Sequence, residues 1–341
     1  MSDNNRQWLL KERPTAMVGP EHFEQVATPM PSPDLAAGEV LVKTLMLGFD
    51  PAMRGWIRDE RSYLPPVGLG EPMRASGVGQ VIASQNPEMP AGTLVQGLLN
   101  WQEYSIGGPH SLVPPRPLPE GVSPAMALSV FGTTTLTAYF GLLDVGQPKA
   151  GETVLVSGAA GATGSVVAQI AKLKGCRVIG IAGGAEKCQW LKEACGADEV
   201  IDYKSENISS RLSELCNGDI NVFFDNVGGE TLDAAIDPMA DFGRIGVCGA
   251  ISQYNNAEAT PGPKNLMTLV ARRIRMQGFI VLDYLDRAEE AYGDIAGWVM
   301  DGKIAWREDI QEGFDNIPAT LQRLFDGRNQ GKQLLKLADP E

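Results

Sequence analysis

Three glycines at regular spacing lie between a short apolar strand and a helical stretch. They are Gly158, Gly161 and Gly164, in the segment Val-Leu-Val-Ser-Gly-Ala-Ala-Gly-Ala-Thr-Gly-Ser-Val-Val at 154–167. A backbone without side chains can turn sharply and approach a phosphate, and the following helix offers unpaired N–H groups to the anion. Glycine loops also serve as plain turns, and the usual spacing is Gly-x-Gly-x-x-Gly. Because a strand precedes this loop and a helix follows it, we predict that a dinucleotide pyrophosphate is bound by Gly158, Ala160, Gly161, Ala162, Thr163 and Gly164.

The end of the second strand indicates which dinucleotide is bound. An NAD site needs a carboxylate there for the ribose hydroxyls, whereas this chain has Gly183 followed by Gly184. Two small residues leave room for a 2′-phosphate, and Lys187 can neutralise it. Glu186 opposes this assignment, and Lys187 alone would be interpreted as a solvated helix lysine. Because no carboxylate stands at the strand end, the sequence favours NADPH as cofactor.

Residues able to bind a catalytic metal are scarce. Catalytic zinc needs about three protein ligands from Cys, His and carboxylate, but the chain has two histidines, His22 and His110, which we place in surface loops. The five cysteines are irregularly spaced and follow residue 175, which argues against both a metal cluster and a disulfide framework: Cys176, Cys188, Cys195, Cys216 and Cys248. Without zinc a carbonyl is not polarised. We therefore expect no metal, and this disfavours carbonyl–alcohol chemistry. Hydride addition to an already activated C=C bond needs less assistance.

Strands and helices alternate around the glycine loop. Apolar strands are predicted at 153–156, 177–182, 200–201, 221–225 and 243–248, with helices at 166–173 and 186–194. Near-continuous apolar strands that alternate with helices are typical of a parallel sheet covered on both faces. The sequence therefore predicts an α/β fold for this part of the chain.

The first 120 or so residues have a different pattern, with many Pro and Gly residues between short apolar runs such as 39–45 and 77–82. This pattern predicts a mainly β unit. The Pro-rich stretch 114–119 is interpreted as an extended connection, and Ser123-Pro124 as the start of a helix. Residues 333–337 are predicted to form a last strand that rejoins the first unit.

The composition restricts the partners. A chain of 341 residues favours two domains, and a net charge of −13 disfavours nucleic acid and anionic membrane. The N-terminal segment lacks the apolar core of a secretory signal, and no run reaches the length of a membrane span. We expect a cytoplasmic protein with a small-molecule substrate.

Several motifs together resemble one family. They are Asp-Pro-Ala-Met-Arg-Gly at 50–55, Leu-Thr-Ala-Tyr-Phe-Gly-Leu-Leu at 136–143, the glycine loop, Gly-Gly-Ala-Glu-Lys-Cys at 183–188, Phe-Asp-Asn-Val-Gly-Gly at 224–229, Arg-Ile-Gly-Val-Cys-Gly-Ala-Ile-Ser-Gln-Tyr-Asn at 244–255, and Gly-Arg-Asn-Gln-Gly-Lys at 327–332. The chain resembles, nearly end to end, the zinc-independent medium-chain dehydrogenases/reductases, in the branch of prostaglandin, alkenal double-bond and curcumin reductases. The resemblance implies a GroES-like mainly-β catalytic domain at 1–125, a Rossmann doubly wound NADP-binding domain at 126–305, and a return segment at 306–341.

The resemblance also implies roles for individual residues. Lys187 and Tyr203 would contact the 2′-phosphate. Gly183, Asn226, Cys248, Ser252, Tyr254 and Asn329 would also contact the cofactor. The substrate pocket would include Ala52, Met53, Arg54, Thr133 and Thr134. Two departures affect this pocket, since the family usually has Tyr at Ala52 and Gly-Met-Pro-Gly at 132–135, where this chain has Gly-Thr-Thr-Thr. Arg54 has a structural alternative, to hold its loop to a carboxylate, and Tyr139 is expected in the core.

The expected reaction is NADPH-dependent reduction of the C=C bond of α,β-unsaturated aldehydes and ketones. Hydride reaches the β-carbon, and Tyr254 is the candidate donor to the enolate oxygen, because a tyrosine of ordinary pKa is protonated at neutral pH. Water or a cofactor hydroxyl is the alternative source of the α-proton. A quinone reductase and a non-catalytic NADPH-binding sensor remain alternative functions. Dimers are common in the family, so a homodimer is expected.

Overall fold

The computed structural model describes residues 4–258 and 260–341. The strands are β1 (Asn4–Leu10), β2 (Phe23–Pro29), β3 (Val40–Gly48), β4 (Ser76–Ser84), β5 (Leu94–Leu98), β6 (Tyr104–Gly107), β7 (Arg116–Pro117), β8 (Thr153–Val156), β9 (Arg177–Ala182), β10 (Glu199–Asp202), β11 (Ile220–Asp225), β12 (Met239–Val247), β13 (Arg275–Gly278), β14 (Glu308–Glu312) and β15 (Lys332–Lys336). The helices are α1 (Met53–Trp56), α2 (Pro124–Leu128), α3 (Thr133–Phe140), α4 (Ala162–Leu173), α5 (Ala185–Glu193), α6 (Ile208–Leu215), α7 (Gly229–Ile236), α8 (Leu266–Ala271), α9 (Ala288–Met300) and α10 (Ile317–Phe325).

The chain divides into two compact units. The first comprises the described residues of Met1–Val130 together with Glu308–Glu341, and the second is Phe131–Arg307. The sequence predicted boundaries after residues 125 and 305. The structure has them after Val130 and Arg307. The division shows that the chain leaves the first unit, forms the second, and returns.

The first unit is built on antiparallel strands. Its larger sheet has the order β14-β15-β3-β4-β5-β7, with β6 paired to β3, and only β14 and β15 run parallel among these pairs. β1 and β2 form a separate hairpin-like pair. A core of large apolar side chains, among them Phe49, Met53 and Trp101, packs with the return helix α10.

The second unit contains six parallel strands in the order β10-β9-β8-β11-β12-β13. The chain starts in the middle at β8, moves out to β10, and then crosses to β11 on the other side. This is the strand order of a doubly wound dinucleotide-binding sheet, whose ligand site lies at the carboxyl ends of the strands where the order reverses. The reversal falls between β8 and β11.

Burial explains the apolar strand sequences. All four residues of β8 are buried, as are five of the six in β9. A large aliphatic side chain contributes about 1.5–3 kcal/mol when it is fully buried, so the apolar runs of β8, β9 and β11 hold the sheet together. The charged residue at the end of β11, Asp225, is the exception in this core.

The sequence predicted several elements closely. The strands predicted at 153–156 and 177–182 coincide with β8 and β9. α2 begins at Pro124, and the Ser123 hydroxyl caps it by accepting from the amide of Met126. The predicted last strand is also confirmed, since β15 pairs with β3. The Pro-rich connection contains the two-residue strand β7, which pairs with β5.

Candidate functional site

The carboxyl ends of β8 and β11 are joined by side chains at their tips. The Ser157 hydroxyl, directly after β8, donates to Oδ1 of Asp225 at 2.7 Å. The amides of Val227 and Gly228 donate to the same carboxylate at 3.0 and 3.1 Å. Asp225 is fully buried, so these donors replace the water that its charge would otherwise require. Burial raises the pKa of Asp225, and the hydrogen bonds from Val227, Ser157 and Gly228 oppose that rise.

Asn226 is fixed by the same serine. Its amide donates to the Ser157 hydroxyl at 2.8 Å, and its Nδ2 donates to the main-chain carbonyl of Ser157 at 2.7 Å. The Asn226 side chain is half-buried. The turn after β11 is therefore held in one position against the start of the glycine loop.

The glycine loop approaches its own helix so closely that side chains are excluded. A Cβ on Gly164 would lie 2.4 Å from the carbonyl oxygen of Gly158, and Gly158 itself has a φ of +57°. Gly161 is the N-cap of α4. The first amide that donates to a carbonyl within the helix is that of Ser165, which donates to the carbonyl of Gly161 at 3.0 Å. The amides of Ala162, Thr163 and Gly164 precede that bond and have no carbonyl partner within the helix.

These loop residues are accessible to a ligand. Gly158, Gly161, Ala162 and Thr163 are half-exposed, whereas Ala160 is 5% exposed, so its methyl group packs inward. A half-exposed helix N-terminus with unpaired amides is a site for an anion. The loop therefore fits the phosphates of a dinucleotide through its backbone.

The end of β9 lies against a tyrosine. A Cβ on Gly183 would meet the ring and hydroxyl of Tyr203 at 2.7–2.8 Å, so Gly183 has room for the ring only because it has no side chain. The Tyr203 side chain is 52% exposed. Lys187 lies half-buried in the first turn of α5, together with Glu186. Gly183 and Gly184 occupy the position, directly after the second strand, at which an NAD site normally presents an acid to the ribose.

A carboxylate does lie near this strand end, although on another strand. Asp202, the last residue of β10, accepts from the amide of Gly184 at 2.8 Å and from the amide of Lys204 at 3.0 Å. The bond from Gly184 is the largest cause that lowers the pKa of Asp202. Asp202 therefore holds the Gly183-Gly184 turn.

The segment after β12 packs on the turn after β11. The amides of Cys248 and Gly249 donate to the carbonyl of Asp225 at 2.8 and 3.2 Å, and the Ser252 hydroxyl donates to the carbonyl of Val227 at 2.6 Å. Burial raises the pKa of Cys248 to about 12, with a smaller contribution from the Asp225 charge. At neutral pH Cys248 is therefore a thiol rather than a nucleophilic thiolate.

Tyr254 folds back over the end of β12. Its hydroxyl accepts from the amide of Ala250 at 3.1 Å, and a Cβ on Gly249 would lie 2.7 Å from that hydroxyl oxygen. The same Cβ position is 3.6 Å from the carbonyl of Asn226. The structure thus brings together Asn226 and the Tyr254 hydroxyl.

Sequence reasoning missed three residues that build this site: Ser157, Asp225 and Asp202. A signal existed for Asp225, because it is the one acid of β11 and follows the apolar run 222–224. Its partner could not be derived, because the bond to Ser157 joins residues 68 positions apart in the chain.

The predicted pocket residues of the first unit differ in exposure. Ala52 is half-exposed, but Met53 has no exposed surface and belongs to the apolar core. Arg54 is 2% exposed, and its Nη2 donates to the carbonyls of Pro14 and Ala16 at 2.8 and 3.2 Å. Burial lowers the pKa of Arg54 to about 10. Met53 and Arg54 are therefore buried on α1, and Ala52 is the accessible member. The hydrogen-bond partners of Arg54 named above are main-chain carbonyls, whereas the structural alternative expected a carboxylate.

The loop before Ala52 is held from the return strand. The Lys332 ammonium, at the start of β15, lies 2.6 Å from Oδ1 of Asp50, and the two side chains are 4% and 17% exposed. Asn329, predicted to reach the cofactor, belongs to the first unit, where its Nδ2 donates to the carbonyl of Gly331 at 3.0 Å.

The three threonines lie at the start of α3. Thr133 is exposed, Thr134 is half-exposed and Thr135 is buried, so only the first two present accessible surface. Tyr139 on the same helix is 4% exposed and donates to Asp294 at 2.7 Å, which confirms its predicted place in the core.

Within residues 4–258 and 260–341, no group of three or more His, Cys, Asp or Glu side chains is arranged to hold a metal ion. His110 is exposed, and His22 is half-buried with its Nδ1 3.0 Å from the amide of Gly19. The five cysteines are unpaired thiols. Over the described residues, no helix combines the length and apolar character needed to cross a membrane.

Comparisons with known proteins agree with this architecture. Residues 6–114 match the family described as the N-terminal domain of oxidoreductase, and residues 162–296 match the zinc-binding dehydrogenase family. The chain is 41% identical to an NADPH-dependent curcumin reductase of Escherichia coli, over 98% of this chain and 97% of the relative. It is 38% identical to an NADP(+)-dependent 2-alkenal reductase of Nicotiana tabacum, over 98% of both chains.

A solved structure is similar over the whole chain. The crystal structure of CurA from Vibrio vulnificus in complex with NADPH has a TM-score of 0.91 and 42% identity, and the match covers 98% of this chain and 100% of CurA. The alignment therefore spans both compact units.

Proposed function

Because the chain belongs to the medium-chain dehydrogenase/reductase superfamily, in its branch of curcumin, prostaglandin and alkenal reductases, we propose that it is an NADPH-dependent enzyme that reduces the C=C bond of α,β-unsaturated aldehydes and ketones. One observation supports the cofactor most directly. The loop at 158–164 lies at the point where the strand order reverses, Gly164 has no room for a side chain, and the amides of Ala162, Thr163 and Gly164 fit phosphate oxygens.

The residues around the loop have separate tasks in this proposal. Ala162, Thr163 and Gly164 bind the pyrophosphate through their amides. Lys187 and Tyr203 bind the 2′-phosphate beside Gly183, where a carboxylate would repel it. A further group lies along the nicotinamide half: Asn226, Cys248, Ser252 and Tyr254.

The chemistry needs a donor for the substrate oxygen. When bound, NADPH supplies the hydride that the β-carbon of the substrate receives. The Tyr254 hydroxyl donates to the carbonyl oxygen as negative charge develops there, which stabilises the transition state more than the ground state. The amide of Ala250 donates to the Tyr254 oxygen and so helps to fix the position of the hydroxyl group.

The two units have separate binding roles in this proposal. We assign the cofactor to the Rossmann unit and substrate binding to the GroES-like unit, where Ala52 is the accessible candidate. Thr133 and Thr134, the other accessible candidates, belong to the Rossmann unit. Met53 and Arg54 support that pocket from beneath the surface.

Steady-state oxidation of NADPH, followed at saturating cofactor with an enal, an enone and a quinone, tests the proposal. We expect turnover with the enal and the enone at least tenfold faster than with the quinone. Faster turnover of the quinone would instead make the chain a quinone reductase, and cofactor binding without turnover of any of the three would make it a sensor.

The assembly is proposed to be a homodimer. The strand β13 is the edge of the parallel sheet, and α8, which precedes it, has no buried residues. Leu266, Met267 and Val270 of α8 are 51%, 73% and 67% exposed, which leaves an apolar surface beside an open strand edge. Light scattering should give twice the chain mass of 36.6 kDa, and M267E/V270E should give monomers. A monomeric native protein at micromolar concentration contradicts this proposal.

The cytoplasm is the proposed compartment. The five unpaired cysteines suit a reducing environment. Cell fractionation that recovers the protein in the periplasmic or secreted fraction would overturn this assignment.

A further inference from the structure

A tryptophan lies one helical turn beyond Ala52. The amide of Trp56, the last residue of α1, donates at 3.1 Å to the carbonyl of Ala52, the N-cap of α1, so the two residues are in i and i+4 positions. Side chains at this spacing lie on the same face of a helix. The family usually has an aromatic residue at position 52, which is Ala here. This chain therefore presents an aromatic ring on the same face, displaced by one turn.

We propose that Trp56 is a specificity-determining residue, whose indole packs against an aryl or other flat conjugated substituent of the enone substrate. This inference rests on the proposed function, because it concerns the substrate of the same site. Trp56 and Ala52 both belong to the first unit.

The indole is held in a fixed orientation. Its Nε1 donates to the Tyr63 hydroxyl at 2.8 Å, and the guanidinium carbon of Arg74 lies 5.8 Å from the ring centroid. Arg74 is itself fixed by a 2.9 Å bond to the carbonyl of Pro65. A ring fixed on two sides loses little conformational freedom when a ligand packs on it.

Exposure separates Trp56 from its neighbours on α1. Met53 and Arg54 are buried, whereas Trp56 is half-exposed and Tyr63, its hydrogen-bond partner, is 44% exposed. Trp56 packs, partly buried, against the core of the first unit. The accessible part is thus a rigid apolar and aromatic surface next to the smallest side chain of the predicted pocket. Flat rings stack on such a surface with offset or edge-on geometry.

Trp8 provides a matched control for a purely structural role. It packs, partly buried, against the same core as Trp56, and its Nε1 also donates a hydrogen bond, to the carbonyl of Phe314 at 3.0 Å. Replacing either tryptophan by leucine removes a half-buried indole from the same core. Only Trp56 lies beside Ala52.

The first experiment measures kcat/KM for benzylideneacetone, which carries a phenyl ring, and for ethylideneacetone, which carries a methyl group instead. In W56L the ratio of the two values should fall at least tenfold from that of the native protein, through KM for the aryl substrate. W56F should recover most of the ratio, and W8L should keep it. An unchanged ratio in W56L, or an equal change in W8L, overturns the inference.

A second measurement does not require turnover. Calorimetric titration of the NADP⁺-loaded protein with benzylacetone, the saturated aryl ketone, should give a Kd at least tenfold weaker in W56L than in W8L. Equal Kd values overturn the inference, whatever the activity. Failure of the native protein to reduce either enone contradicts the proposed function instead, so the two failures are distinguishable.

Discussion

The hydroxyl of Ser157 donates a 2.7 Å hydrogen bond to the buried carboxylate of Asp225, and thereby joins the carboxyl ends of two adjacent parallel strands. Asn226 and the start of the glycine loop are both fixed by this pair, because Asn226 bonds to the hydroxyl and to the carbonyl of Ser157. The proposed cofactor site is therefore positioned by the Asp225 carboxyl group, which does not need to contact the ligand itself.

Substitution of Ser157 by alanine should weaken cofactor binding without loss of the fold. The change removes one donor from Asp225 and one acceptor from the amide of Asn226, and a hydrogen bond to a charged group contributes about 1.5–3 kcal/mol. We expect a free energy of unfolding lower by about that amount and a Kd for NADPH about tenfold higher. Urea unfolding and fluorescence titration measure the two effects. S165A, at a buried serine of α4, is the control, and an unchanged Kd in S157A would contradict a positioning role.

Gly183→Ala should affect the cofactor more than stability. The new Cβ would meet the Tyr203 ring at 2.7 Å, but this ring is 52% exposed and can move away at low cost. The displaced ring no longer contacts the 2′-phosphate, so Kd for NADPH should rise about tenfold while Kd for NADH stays constant. In a Y203A background the same substitution should have less than a twofold effect, because interacting sites are not additive. Equal effects in both backgrounds would exclude the proposed coupling.

Tyr254→Phe should reduce turnover selectively. The variant keeps the ring but removes the proposed donor to the enolate oxygen, and loss of one such donor typically costs about a hundredfold in kcat. KM for NADPH should be unchanged, since the phosphate contacts are elsewhere. Stopped-flow measurement of a single turnover isolates the chemical step. An unaltered rate would remove Tyr254 from the chemistry and leave water or a cofactor hydroxyl as the proton source.

The ion pair between Lys332 and Asp50 should contribute to stability through both partners. Each side chain is mostly buried, at 4% and 17% exposure, so removing one partner leaves an uncompensated charge that costs about 3–5 kcal/mol. K332M should therefore lower the free energy of unfolding by about that amount, and K332M/D50L should be more stable than K332M alone. Denaturant titration of the three proteins tests this; a double variant less stable than the single one would contradict it.

The sequence predicted the parallel sheet well because its strands are buried on both faces. Continuous apolar runs mark β8 and β9, and turn residues mark their ends. Local pattern also located α2, whose cap is a contact between residues three apart in the chain.

Tertiary contacts limited the prediction of the site. Sequence spacing indicated that the glycines form a loop, but not that Gly183 accommodates the Tyr203 ring or that Asp202 holds the adjacent turn. In the first unit the motif at 50–55 predicted that Ala52, Met53 and Arg54 all line the substrate pocket. Which of the three side chains points into the core depends on the packing of α1, and a four-residue helix has too short a pattern to reveal it.

The most direct test of the account follows the transferred hydride itself. NADPH carrying deuterium at the reactive position of the nicotinamide is incubated with the protein and benzylideneacetone, and the product is analysed by NMR. The account predicts the saturated ketone with one deuterium on the carbon that was β to the carbonyl. An allylic alcohol with deuterium on the carbinol carbon, or an enone recovered unchanged beside intact NADPH, would contradict it.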